Sequence, residues 1–128
     1  MAAKTGADAI IVSNHGGRQL DGAPSSIAVL PEIADAVGDR IEIHLDSGIR
    51  SGQDVRKALC LGAKGTFIGR SFLFGLGAYG KDGVTMTLEI IRRELDVTMA
   101  LCGKRDVRDL GPELIYNPPS PRQPASHA

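Results

Sequence analysis

Three apolar runs punctuate this chain, and each is followed by a polar, glycine-bearing loop and then by helix-forming sequence. The runs are Ala9-Ile10-Ile11-Val12, Ile41-Glu42-Ile43-His44-Leu45 and Gly65-Thr66-Phe67-Ile68. Short runs rich in β-branched residues read as strands. Helical sequence follows near Ser26–Val37, Gln53–Leu61 and Phe72–Tyr79, with Gly38 and Gly62 closing the first two. Strands alternating with helices imply right-handed βαβ crossovers and a parallel sheet. Their near-continuous apolar character suits strands covered on both faces. A longer helix is expected over Thr85–Cys102, where Val84, Leu88, Ile91, Leu95 and Met99 repeat at helical spacing and define one apolar face.

The 128 residues suffice for one domain with a core. Fifteen Lys and Arg offset 15 Asp and Glu, so no basic field favours nucleic acid or an anionic membrane surface. No apolar run is long enough to cross a bilayer, and Met1-Ala2-Ala3-Lys4 leads into no secretory apolar region. The chain is therefore expected to be soluble and cytoplasmic, with Cys60 and Cys102 as reduced thiols in apolar surroundings. Two separated cysteines supply no zinc-ligand spacing, and no metal is expected. Residues 1–115 read as the structured part. Pro118, Pro119, Pro121 and Pro124 make 116–128 a Pro-rich tail expected to be disordered. At the other end, Ala2–Ala7 resembles the last turn of a helix capped by Gly6, as though the chain began within an architecture.

Polar groups gather in one kind of place. His15 and Arg18 follow the first strand, Asp46, Ser47 and Arg50 the second, Gly69 and Arg70 the third. Ligands of parallel α/β folds bind at that strand edge. An imidazole can take a proton near neutral pH, and a guanidinium can grip a carboxylate through two hydrogen bonds. His15 and Arg18 therefore suggest a site for a small acid that loses a proton. The second and third loops each pair glycine with arginine just before a helix. Free N–H groups at a helix start attract anions and arginine adds charge, so the two loops read as a phosphate cradle.

Other features have plainer readings. His44 lies within a strand and His127 in the tail, and neither is assigned a function. Gly75, Gly77 and Gly80 match the dinucleotide pattern GxGxxG, but that pattern carries meaning only directly after a strand. Here Ser71–Phe74 is already helical in character, and the match is rejected.

Ser13-Asn14-His15-Gly16-Gly17-Arg18-Gln19-Leu20-Asp21, then Asp46-Ser47-Gly48-Ile49-Arg50, then Ile68-Gly69-Arg70 occur in that order. From about Gly6 to Leu114 the chain resembles the FMN-dependent L-2-hydroxy acid oxidases and dehydrogenases, the family of glycolate oxidase, L-lactate dehydrogenase and mandelate dehydrogenase. The resemblance implies a partial (β/α)8 TIM barrel: about three C-terminal βα units plus a C-terminal helix. It also implies that FMN is the cofactor and that an L-2-hydroxy acid is oxidised to a 2-oxo acid with hydride passing to the flavin. On this resemblance His15 takes the substrate proton and Arg18 holds the substrate carboxylate. Ser13 lies beside the flavin, Asp46, Ser47, Gly48 and Ile49 serve the ribityl chain, and Arg50, Gly69 and Arg70 hold the FMN phosphate.

Two departures accompany the match. Asp46-Ser47-Gly48 stands where family members usually carry Asp-Gly-Gly, a serine shared with mandelate-type members. The family's lysine near the flavin, its substrate tyrosine and second arginine, and the aspartate that orients the histidine belong to strands that would precede Met1. A barrel of this class needs about 200 residues or more, and three strands cannot close one. The isolated chain is therefore expected to be inactive without the missing N-terminal barrel portion; its expected partner is that portion or a second copy in a homo-oligomer. The alternative is a non-catalytic partial barrel that binds phosphate or FMN.

Overall fold

The computed structural model describes residues 1–116; the expected tail lies outside the described residues from 117 onward, as does His127. Three strands, β1 (Ala9–Val12), β2 (Glu42–Leu45) and β3 (Gly65–Thr66), form a parallel sheet in the order β1-β2-β3. In β1 and β2, Ile10 pairs with Ile43 and Val12 with Leu45. The same register continues into β3, where Leu45 pairs with Thr66. The third strand is shorter than its apolar run predicts. After Thr66 the ladder goes on only through Phe67, whose N–H donates to the Leu45 carbonyl at 2.8 Å, before the chain turns into its loop.

Helices α1 (Ser26–Val37) and α2 (Gly52–Cys60) follow the first two strands. α1 runs through Pro31, which removes a backbone donor and costs about 3 kcal/mol in a helix interior. Packing holds it: Leu30 is fully buried, and Ile27, Ile33, Ala34 and Val37 line the same core. That core lies between the helices and one sheet face, built from Val12, Leu30, Ile43, Leu45, Ile49, Ala58 and Ala63. The opposite face is open, leaving Ile11 and Phe67 about half exposed. The apolar strands are thus covered on one face only within this chain, against the two-faced burial their composition predicts.

The two helices expected after the third strand run on within α3 (Arg70–Leu101), separated by the non-helical backbone of Tyr79 and Gly80. Gly80 adopts φ 57°, ψ −137°, which turns the chain without a loop. Across the break, Gly75 and Gly83 lie backbone to backbone; a Cβ on Gly75 would stand 2.5 Å from the Gly83 carbonyl oxygen. The glycines of the rejected dinucleotide pattern thus lie in a helix and its break. On the expected apolar face Met99 is buried and Val84, Ile91 and Leu95 are partly covered, but Leu88 is exposed. α2 meets α3 at Gly52, whose N–H donates to Glu94 Oε2 at 2.9 Å.

Gly62 closes α2 with φ 104°, whereas Gly38 ends α1 in a right-handed conformation, φ −65°. Ala2–Lys4 forms one 3-10 turn ahead of Gly6, as its sequence predicts. Beyond α3, turns at Val107–Asp109 and Pro112–Leu114 fold back on α2, where Arg56 Nη1 donates to the Leu114 carbonyl at 3.2 Å. Both cysteines are free, Cys60 buried at the end of α2. No helix among the described residues is long and apolar enough to cross a membrane.

Candidate active site

The three strand-to-helix loops open on one side of the sheet and enclose a cavity of about 900 Å³. His15, Arg18, Asp46, Arg50, Gly69 and Arg70 all line it, as do Ser47, Gly48 and Ile49. Ser13 does not. It lies below the cavity as a joint between loops: its hydroxyl donates to Asp46 Oδ2 at 2.7 Å and accepts the His15 N–H at 3.0 Å. Ile49 is also part of the buried core, and its carbonyl accepts from the Ser71 hydroxyl at 3.2 Å.

The backbone at His15 is unusual. His15, Gly16 and Gly17 take φ values of 54°, 64° and 72°, a left-handed run that only glycine adopts without cost. Asn14 starts this turn, accepting from the Gly16 N–H at 3.0 Å, and its amide donates to the Pro24 carbonyl at 3.3 Å. The Ser47 hydroxyl accepts from the same Gly16 N–H at 3.2 Å. Ser47 is itself left-handed, φ 78°, a conformation uncommon outside glycine. Arg70 reaches across from α3, and its Nη2 donates to the Gly16 carbonyl at 2.9 Å. Glycine is favoured there by φ, and a Cβ on Gly16 would sit 2.6 Å from that nitrogen and push the guanidinium aside. The His15 imidazole and the Arg18 guanidinium have no hydrogen-bond partner among the described residues and remain free to meet a ligand.

The two halves of the expected anion cradle differ. At α2, Ser51 and Asp54 form a capping box, and Asp54 Oδ2 accepts from the N–H groups of both Arg50 and Ser51 at 3.1 Å. Glu94 takes the next N–H, that of Gly52. Asp54 and Ser51, with Glu94 reaching over from α3, thus occupy the N–H groups of Arg50, Ser51, Gly52 and Asp54, so the start of α2 is far more heavily capped than the pairing of glycine with arginine in its loop suggests. The start of α3, after Gly69, has no side-chain cap, and its N–H groups stay available. Sequence reasoning passed over Asn14, Asp54, Lys57 and Ser71. The Ser51-x-x-Asp54 spacing was the legible signal for one of them. Arg18, Arg50, Lys57 and Arg70 outweigh Asp46 and Asp54 around the cavity, leaving it electropositive.

These residues fit a phosphate-bearing cofactor and an acid substrate: an uncapped helix start, the Arg50 and Arg70 side chains, a free guanidinium and a free imidazole all line one cavity. Residues 1–117 match the family model for FMN-dependent dehydrogenase. The L-lactate dehydrogenase of Caulobacter vibrioides (strain NA1000 / CB15N) is 53% identical over 114 residues, covering 89% of this chain and 30% of that protein. Mouse 2-hydroxyacid oxidase 1 is 49% identical over 118 residues, covering 92% of this chain and 32% of the mouse protein. Among solved structures, a flavocytochrome b2 mutant with pyruvate bound superposes with TM-score 0.84 at 44% identity, over 88% of this chain and 30% of the other. A mutant mandelate oxidase with the monooxide FMN adduct gives TM-score 0.80 at 48% identity, over 83% and 34%. The chain thus spans about 30% of the length of the relatives it matches. FMN is the cofactor of that family, and the chain belongs to it: the FMN-dependent dehydrogenases.

Proposed function

We propose that this chain forms the phosphate-binding and proton-abstracting sector of a (β/α)8 flavoenzyme that oxidises a small L-2-hydroxy acid to its 2-oxo acid. One observation carries the reading: a free imidazole, a free guanidinium, an uncapped helix start and the arginines Arg50 and Arg70 share a single cavity at the strand ends. The open sheet face, with Ile11 and Phe67 exposed, suits strands that look into the interior of a barrel.

Bound there, FMN would accept the hydride that leaves the substrate carbon. His15 takes the hydroxyl proton, which leaves a carbonyl on that carbon and balances the two-electron oxidation. Arg18 holds the carboxylate in a bidentate grip and thereby orients the hydroxyl. The α3 N-terminus, Arg50 and Arg70 receive the phosphate, while Asp46 and Ser47 order the loop between the two. The remaining flavin and substrate contacts come from strands outside this chain, so the isolated chain is inactive.

The test is an FMN titration of the chain alone and together with a separately supplied N-terminal barrel portion, followed by flavin fluorescence and 2-hydroxy acid oxidation. Binding and turnover only in the mixture are expected. Turnover by the chain alone would overturn the sector reading. FMN binding without turnover in either sample would favour a second reading, a non-catalytic phosphate or FMN module. The observation favouring that one is that Arg50, Arg70 and the α3 N-terminus all lie within this chain.

A further inference from the structure

We propose that Arg70 is a positioning residue for His15, coupling anion occupancy at the α3 N-terminus to the backbone of the His15 turn. The inference rests on the cofactor-site reading above for its ligand, but its structural half stands on the ligand-free chain. The turn is held in a conformation its own sequence disfavours, because His15 carries a Cβ at φ 54°. Such backbone persists only where surrounding contacts over-determine it. Its N–H side is pinned from its own loop and from the loop after β2: Ser13 takes the His15 N–H, and Asn14 and Ser47 take that of Gly16. On its carbonyl side the Asn14 and His15 carbonyls accept from Gly17 and Arg18 within the turn, and Arg70 Nη2 on the Gly16 carbonyl is the side-chain contact that reaches it from α3.

Arg70 comes from the first position of α3, directly after the uncapped Gly69. A guanidinium has five N–H donors in a rigid plane, and the Gly16 contact uses one nitrogen. The remaining donors can meet an anion at the helix start while Nη2 stays on the turn. An anion that fixes the guanidinium therefore also fixes Gly16 and the residue before it. Lysine cannot substitute, since a single ammonium on a flexible stem does not span two sites with fixed geometry.

The test uses the full ¹⁵N-labelled chain with inorganic phosphate as the probe, reading amide exchange at Gly16 and Gly17 and amide shifts at Gly69–Ser71. In the absence of phosphate, Arg70→Gln and Arg70→Lys should each speed exchange at Gly16 and Gly17 by about tenfold, the lower end for losing a hydrogen bond from a charged donor. Core amides of β2 should keep their protection. Unchanged exchange in both variants would overturn the positioning role. With phosphate, the native chain should show shifts at Gly69–Ser71, further slowing at Gly16 and Gly17, and a shift of the His15 ring protons. Arg70→Lys should keep the first and lose the other two. A His15 response that survives in Arg70→Lys would come from the phosphate field itself and would overturn the coupling. Absence of any shift at Gly69–Ser71 in the native chain would instead remove the anion site, and the coupling with it, leaving the phosphate-free arm to decide Arg70's hold on the turn. Should the Arg70 variants fail to fold, phosphate titration of the native chain decides: slowing at Gly16 and Gly17 that tracks the Gly69–Ser71 shifts is expected, and shifts at Gly69–Ser71 with unchanged exchange at Gly16 and Gly17 would overturn the coupling.

Discussion

Ser13 and Asp46, 33 positions apart, are joined by a 2.7 Å hydrogen bond from the serine hydroxyl to Asp46 Oδ2. The bond ties the loop after β1 to the loop after β2. Because the Ser13 oxygen also accepts the His15 N–H, it ties both to the His15 turn. A single hydroxyl thus decides where His15 begins.

Ser13→Ala should lower stability by about 1 kcal/mol, the usual net worth of one hydrogen bond in a partly solvated site. It should also loosen the turn more than the sheet. Urea unfolding measures the first effect and amide exchange at His15 and Gly16 the second. Equal loosening of β2 amides would contradict the local role.

Gly52 is the point where α2 touches α3. A Cβ there would lie 2.5 Å from the Glu94 carbonyl carbon and 2.6 Å from the Ile91 carbonyl oxygen. Gly52→Ala should therefore cost about 1–3 kcal/mol through overpacking against backbone that cannot yield, despite alanine's better helix propensity. A rise in Tm would show that α3 can move away freely.

Cys60 is buried, and that burial, outweighing the nearby Arg56, raises its thiol above the ordinary value of 9.0. The unfolded thiol ionises first as pH rises through 9.0, and the folded one resists. Stability should be full below that pH and fall above it, with a shallower fall in Cys60→Ala. Urea midpoints across the alkaline range check this; identical slopes in the two proteins would refute it. Iodoacetamide at pH 8 should label Cys102, which is only partly covered, well before Cys60.

In the complemented enzyme, His15→Gln should leave FMN bound and slow its reduction by about 10²–10⁴, the usual range for a positioned proton acceptor. Arg18→Lys should chiefly raise the KM for the acid, because an ammonium cannot reproduce the bidentate grip. Normal flavin reduction in His15→Gln would reassign the proton acceptor.

Sequence alone was enough for what depends on local chemistry. The bounds of β1 and α1, the parallel alternation and the meeting of three loops at one sheet edge follow from apolar periodicity and chain connectivity. What periodicity cannot report is how far a ladder extends or which groups meet across loops. β3 stops at Thr66 because its chain turns away, Tyr79 and Gly80 break α3 without a polar linker, and Leu88 stays exposed on a face that reads as apolar. The cradle was read as symmetric because both loops carry glycine and arginine. The Ser51-x-x-Asp54 cap on α2 is legible locally, but only tertiary structure showed Glu94 taking the Gly52 donor while those of α3 stay open. The grip of Arg70 on Gly16 and the left-handed Ser47 belong to the same class. They are contacts between residues far apart in the chain, chosen by which groups the packed core brings within hydrogen-bond reach, and no local pattern encodes that choice.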